Sequence, residues 1–180
     1  MSESTQTCNW KKRALLGFLS CVFLVFLDQL TKFFAQKSLM GKEPFVLIKG
    51  VFELQYLENQ GAAFGVMQGK KTFFVIFTVI VLLLLAALYF KIPAQKRFRP
   101  VLWILVLFYA GAIGNFIDRV RLNYVVDFFY FKLINFPIFN VADIYVVVAT
   151  IGLFILFLFV YKEKDLEFLN FKQNRYREMK

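Results

Sequence analysis

The chain has 180 residues, 59% of them hydrophobic and 19% aromatic, with a formal charge of +10 and no histidine. Soluble domains average roughly 45–50% apolar residues, and the excess here lies in blocks of bilayer length, which excludes a water-soluble globular fold and a disordered chain. Without histidine there is no Ser-His-Asp triad, His-ligated zinc or HExxH protease, and carboxylates, Lys, Ser/Thr and thiols remain as catalytic groups.

The expected fold is an α-helical polytopic membrane protein: four transmembrane helices, at about 14–35, 73–90, 101–117 and 141–161, with a small extracytoplasmic β-cradle at about 43–65. All of residues 1–180 form a single integral membrane domain. The first apolar block follows Lys11, Lys12 and Arg13 and has no small-x-small cleavage site, so it reads as an uncleaved signal-anchor. Asp28, Gln29, Thr31 and Lys32 interrupt its outer end. Next come the β-favouring run Phe45-Val46-Leu47-Ile48, a Lys49-Gly50 turn signal and the partly alternating residues 51–57, a strand-turn-strand pattern. The second span is uninterrupted, whereas the third carries Gly111, Gly114 and Asn115 before meeting Asp118 and Arg119. The loop before the fourth span is rich in aromatic residues, which suit the membrane interface. The polar tail, 162–180, reads as a cytoplasmic helix extension. Cys8 and Cys21 are too few for a disulfide framework and read as incidental thiols.

Lys and Arg set the orientation. Thirteen of the 22 basic residues fall before the first span, between the second and third, or after the fourth. The positive-inside rule puts both termini and the 91–100 loop in the cytoplasm, and this distribution accounts for the basic excess without nucleic acid.

Ionisable residues at membrane depth cost a few kcal/mol each and mark function or a buried pair. Here Asp28, Lys32, Asp118, Arg119, Asp127 and Asp143 gather at the outer helix ends. Asp28 and Lys32, at i,i+4, share a helical face and can form a structural ion pair. Asn140 and Asp143, at i,i+3, let an amide orient a carboxylate, and Gly111, Asn115 and Asp118 share another face. Two carboxylates in one site cannot both ionise easily, so one holds a proton while the other activates water. Asp127 and Asp143 are candidates for such a pair and Asp118 competes with them; alternatively, Asp127 pairs with Arg119.

Four blocks occur in order: Asp28-Gln29-Leu30-Thr31-Lys32; Glu58-Asn59-Gln60-Gly61-Ala62-Ala63-Phe64-Gly65; Gly111 through Val120, leading to Val125-Val126-Asp127-Phe128; and Phe139-Asn140-Val141-Ala142-Asp143. Together they resemble bacterial lipoprotein signal peptidase, the signal peptidase II family. The resemblance implies an intramembrane aspartic endopeptidase of the bacterial inner membrane, its site near the outer face, that cuts diacylglyceryl-modified prolipoproteins immediately before the lipidated cysteine. It assigns the dyad to Asp127 and Asp143 and makes Asp118 a supporting residue. Asn59, Asn115, Arg119 and Asn140 match positions that line the pocket or hold the peptide and dyad, Asp28 and Lys32 match the polar end of the first helix, and Gly61 to Gly65 allow close backbone approach. It implies no metal or organic cofactor; the partners are lipid-modified prolipoproteins and membrane lipids, and the protein is expected to be a monomer. Ala112 stands where a second glycine is usual, and Lys132 to Pro137 form a less familiar insertion that could alter gating. The competing readings are a small ion-coupled carrier, disfavoured because the ionisable residues sit at one end rather than the midplane, and a non-catalytic assembly factor.

Overall fold

The structure, a computed structural model, describes residues 10–61, 71–93, 95–163 and 165–166. Its main elements in chain order are α1 (Trp10–Leu39), β1 (Phe45–Ile48), β2 (Phe52–Asn59), α2 (Lys71–Lys91), α3 (Arg99–Leu122), β3 (Val125–Tyr130) and α4 (Val141–Ile155), which a π-helical stretch, Leu156–Val160, prolongs. The four helical segments are long and apolar enough to cross a membrane. Their outward surfaces carry exposed Phe18, Phe26, Leu83, Leu84 and Phe154, as expected where lipid rather than water is the solvent.

Helix α3 is the hub, with α1, α2 and α4 all packed against it. Pro100 in its first turn suits a position with no intrahelical N–H partner, and Asn123 ends it in the left-handed region at φ 73°. Small residues make the α3–α4 seam. A Cβ on Gly111 would lie 2.6 Å from the Ala142 carbonyl oxygen, and one on Gly114 would lie 2.5 Å from Asp28 Oδ2. The two glycines therefore serve close helix packing. Near the start of α3, Ile92, Phe98, Leu102, Leu105, Leu156 and Tyr161 form one apolar core; at the other end Ala35, Leu39, Val126 and Phe128 form a second beneath the sheet.

The strand-turn-strand unit is present, with Gly50 at φ 74° in the turn, but the sheet has a third strand that the aromatic loop supplies. In the order β1-β2-β3, β3 pairs antiparallel with β2, setting Val125 opposite Asn59 and Asp127 opposite Leu57. The aromatic side chains of this loop pack largely on one another: Phe131 lies 4.7 Å from Phe52 and 5.8 Å from Phe139, and Phe129 lies 5.6 Å from Phe139, centroid to centroid. The 132–137 insertion is tied down as Lys132 Nζ meets Glu53 Oε1 at 2.8 Å and Tyr130 donates to Asn135 Oδ1 at 2.7 Å.

The fourth span does not run straight on into the tail: the helix is broken at Tyr161 and Lys162, and 3-10 turn geometry resumes at Glu163 and at Asp165 and Leu166. Tyr161 is extended (φ −92°, ψ 138°), its hydroxyl donates to the Arg97 carbonyl at 3.1 Å, and Arg97 pairs with Asp165 at 2.5 Å, turning the chain back toward the α2–α3 loop. Residues 167–180 lie outside the described residues, as do Cys8 and residues 62–65.

Gly111→Ala is expected to force α3 and α4 apart at a backbone contact and to cost about 1–3 kcal/mol, seen as a lower melting temperature in detergent. Gly152→Ala is the contrast: its Cβ would meet the mobile end of Ile104 at 3.1 Å, and little change is expected.

Candidate active site

The site is built where α1, α3 and α4 end beneath the sheet. Lys32 Nζ lies 3.0 Å from Asp28 Oδ2, 2.9 Å from Asp118 Oδ2 and 2.9 Å from Asn115 Oδ1, so its three N–H groups meet three acceptors on two helices. Asp28, Lys32 and Asp118 are all buried. The expected i,i+4 pair is thus half of an ion triad. Gln29, which the sequence reading left out of the candidate site, completes it: its amide donates to Asp118 Oδ1 at 2.9 Å, to Asp28 Oδ2 at 3.2 Å and to the Gly114 carbonyl at 3.2 Å. A second polar residue beside Asp28 inside an apolar block was the available signal for it.

The triad holds the elements that carry the other two aspartates. Asp28 Oδ1 accepts from the backbone N–H of Ala142 at 2.9 Å, in the first turn of α4. Asp118 Oδ2 accepts from the backbone N–H of Val126 at 3.2 Å, one residue before Asp127. Beyond β3 the chain returns through a Phe129–Phe139 bridge, with N–H groups donating both ways at 2.8 and 3.0 Å, and this return delivers Asn140. Asn140 and Asp143 then form a reciprocal capping box at the start of α4: Asn140 Oδ1 accepts from Asp143 N at 3.0 Å, and Asp143 Oδ2 accepts from Asn140 N at 3.1 Å.

Two amides link the triad to the carboxylates, and a third, Asn59, braces Asp127 from β2. Asn115 Oδ1 accepts from Lys32 and, at 3.1 Å, from Asn140, and the NH2 of Asn115 donates to Asp143 Oδ1 at 2.8 Å. Asn140 donates to Asp127 Oδ1 at 2.6 Å, and Asn59 donates to Asp127 Oδ2 at 2.8 Å while accepting from Gly61 N at 3.0 Å. Asp127 is almost wholly buried, at 1% exposure, whereas Asp143 is half-buried. Burial first, and then the neighbouring charge of Asp143, push the Asp127 carboxyl up to about 7, against the opposing hydrogen bonds of Asn59 and Asn140 and the charge of Lys32.

Asp127 does not pair with Arg119. Among the described residues it makes no ion pair within 4 Å. Arg119 instead lies 4.9 Å from the Phe74 ring centroid and reaches the Gly61 carbonyl at 3.4 Å, still within electrostatic reach of Asp143 and Asp127. The ten candidate residues Asp28, Lys32, Asn59, Gly61, Asn115, Asp118, Arg119, Asp127, Asn140 and Asp143 therefore fall in one connected cluster.

Residues 20–159 match the family model described as signal peptidase (SPase) II. The chain belongs to the signal peptidase II family. Lipoprotein signal peptidases resemble it at 48% identity over 145 residues in Caldanaerobacter subterraneus subsp. tengcongensis, covering 80% of this chain and 97% of that protein. The corresponding protein of Streptococcus thermophilus is 43% identical over 145 residues, covering 79% and 90%. Two bacterial membrane enzyme structures solved by the in meso method superpose with TM-scores of 0.73 and 0.71, each at 36% identity, covering 82% and 81% of this chain and 92% and 94% of theirs. The chain is accordingly a membrane protease, which displaces the carrier and assembly-factor readings.

The raised Asp127 carboxyl has a consequence for stability. Below the ordinary carboxylate range both folded and unfolded states hold the proton; as pH rises toward about 7 the unfolded chain releases it first, and the stabilisation of the neutral buried acid is lost. Wild type is expected to melt at steadily lower temperature in detergent as pH rises from about 4 to about 7, with Asp127→Asn flattening that slope. An unchanged slope in the variant refutes the assignment. The amide substitution also sets its NH2 against one of two amide donors, but that offset does not vary with pH.

Proposed function

We propose that Asp127 and Asp143 form the catalytic dyad of an aspartic endopeptidase that removes the signal peptide from diacylglyceryl-modified prolipoproteins, cutting immediately before the lipidated cysteine. The observation that carries this is the unequal pair of carboxylates: one deeply buried and able to hold a proton near neutral pH, the other half-buried, and both oriented by amides rather than neutralised by cations. Asp118 is the supporting acid, since both of its oxygens are occupied by Gln29, Lys32 and Val126 N.

In the reaction, ionised Asp143 takes a proton from water as the water attacks the scissile carbonyl, and protonated Asp127 gives its proton to the developing oxyanion or the departing amine. Asn115 and Asn140 hold the two carboxyls through one shared contact, so the proton can change partners with little reorganisation. Arg119, near both acids but held off by Phe74 and the Gly61 carbonyl, is placed to steady the substrate backbone. The chemistry needs only water and the two acids. Substrate lipid stays between the helices while the peptide bond reaches the sheet-covered end; the distribution of basic residues supports an outer-face position for that end of a bacterial inner-membrane protein, with both termini cytoplasmic. The protein is expected to act as a monomer.

Purified protein in detergent is expected to cleave a diacylglyceryl-modified precursor peptide, with Asp127→Asn and Asp143→Asn each losing about a thousandfold or more and Asp118→Asn retaining measurable turnover. Turnover at the wild-type rate by either dyad variant removes that residue from the mechanism. The rate is further expected to fall on the alkaline side as pH passes about 7 and the Asp127 proton is lost; a rate that stays level to pH 9 (roughly two units above that carboxyl) contradicts the assignment of Asp127 as the acid.

A further inference from the structure

We propose that the end of the bundle remote from the aspartates holds a site for an anionic diacyl phospholipid, with one acyl chain lying between α1, α2 and α3 and the phosphate resting on Lys12, Arg13 and Arg99. Both α1 and α2 pack on α3, and between them lies a cavity of about 430 Å³ whose lining includes Phe18, Cys21, Val25, Ala86, Tyr109 and Ile113. Along α1 it runs from Ala14 to Val25, a rise of about 16 Å. That is about half of a ~30 Å hydrocarbon core, the depth of one leaflet.

The apolar cavity leads into a second of about 280 Å³, and the two share Gly17, Tyr89 and Val106. Lys12, Arg13, Gln95, Arg99 and Trp103 line the second, and among the described residues no acid does. Gly17 allows the narrow neck, because a Cβ there would lie 2.6 Å from Tyr89 Oη. Arg13 is already oriented: its guanidinium sits 5.4 Å from the Tyr89 ring centroid and donates to the Ile92 carbonyl at 3.0 Å, and its buried Nε has no hydrogen-bond partner among the described residues. Among the described residues none of the three cations lies within 4 Å of a carboxylate. Half-exposed Trp103 stands at the lip, where an amphipathic ring suits the headgroup boundary.

Charge selects the occupant. An apolar slot one leaflet deep, opening on three clustered cations, fits an anionic lipid better than a zwitterionic one, and basic pockets between membrane helices are known to take anionic headgroups. The helix of a signal peptide would fit the slot by polarity, but its positive n-region would meet Lys12, Arg13 and Arg99. The cationic end lies about 22 Å along α1 from Asp28, while the inner end of the slot, at Val25, comes within a turn of it; the proposal does not depend on the catalytic assignment.

Fluorescence tests this without an activity readout. The chain has two tryptophans, so Trp10→Phe leaves Trp103 as the sole reporter. In vesicles of brominated phosphatidylcholine, which quenches it, a minor fraction of unbrominated phosphatidylglycerol is expected to relieve the quenching more than the same fraction of unbrominated phosphatidylcholine, with a preference of about fivefold for each engaged cation. Adding Lys12→Gln and Arg99→Gln together should cut the preference to the roughly fivefold that Arg13 alone gives, whereas Lys162→Gln, the same charge change at an exposed residue beyond α4, should leave the preference intact. Equal relief by both lipids in the folded reporter protein, or a preference that the Lys12 and Arg99 changes leave undiminished, overturns the proposal. Relief by an added signal peptide but not by phosphatidylglycerol also overturns it and assigns the slot to the substrate's helix.

Discussion

A single ammonium inside the membrane end of the bundle has to satisfy two carboxylates and an amide, and the geometry of everything around it follows from that demand. Lys32 spends its three donors on Asp28, Asp118 and Asn115. One cation against two acids is a poor balance in a low-dielectric site unless the remaining carboxylate oxygens find donors elsewhere. They find them in Gln29 and in two backbone N–H groups, Ala142 and Val126. Those backbone groups belong to the first turn of α4 and to β3, the two elements that carry Asp143 and Asp127. Satisfying a buried ion triad and positioning the carboxylate pair are thus one and the same set of bonds.

The helices can come this close only because the seam between them is made of small residues. Ala110, Gly111, Gly114, Ala142 and Ala149 are buried where α3 meets α4 and α1, and each side chain left out there is space into which Asp28 and the α4 N-terminus move. The apolar mass sits above and below this seam in two separate cores. Such an arrangement suits a bilayer, where burial of hydrocarbon gives no net drive to helix association, and close packing with interhelical hydrogen bonds supplies it.

What could be read from sequence was what lies within one helix. The Asp28–Lys32 and Asn140–Asp143 spacings put their partners on one face, and both contacts form. The third strand was not legible. Val125 to Phe128 are all buried, so the period-two alternation that marks a half-exposed strand is missing, and an aspartate sits in the middle of the run. Its partner is β2, far back in the chain, and no local pattern reports that pairing. The same limit hid Gln29, whose acceptors Asp118 and Gly114 lie on a helix much later in the sequence. Arg119 was open to two readings for a related reason: proximity in sequence suggested Asp127, whereas the turn at Asn123 carries β3 away to be held by amides.

The choice of amides as holders bears on the chemistry. A guanidinium or ammonium directly against Asp127 would keep it ionised throughout the neutral range, and the proposed dyad would lack its proton donor. Asn59 and Asn140 fix both oxygens of Asp127 with directional bonds but bring no net charge. They lower the proton affinity only in part, leaving burial and the charge of Asp143 to raise it. The nearest cations are each engaged elsewhere: Lys32 by its triad, Arg119 by Phe74 and the Gly61 carbonyl. Positive charge is therefore close enough to limit the cost of two acids in one site, yet not so close that it neutralises either of them, and this separation between holding and neutralising allows a buried carboxyl group to keep its proton near neutral pH.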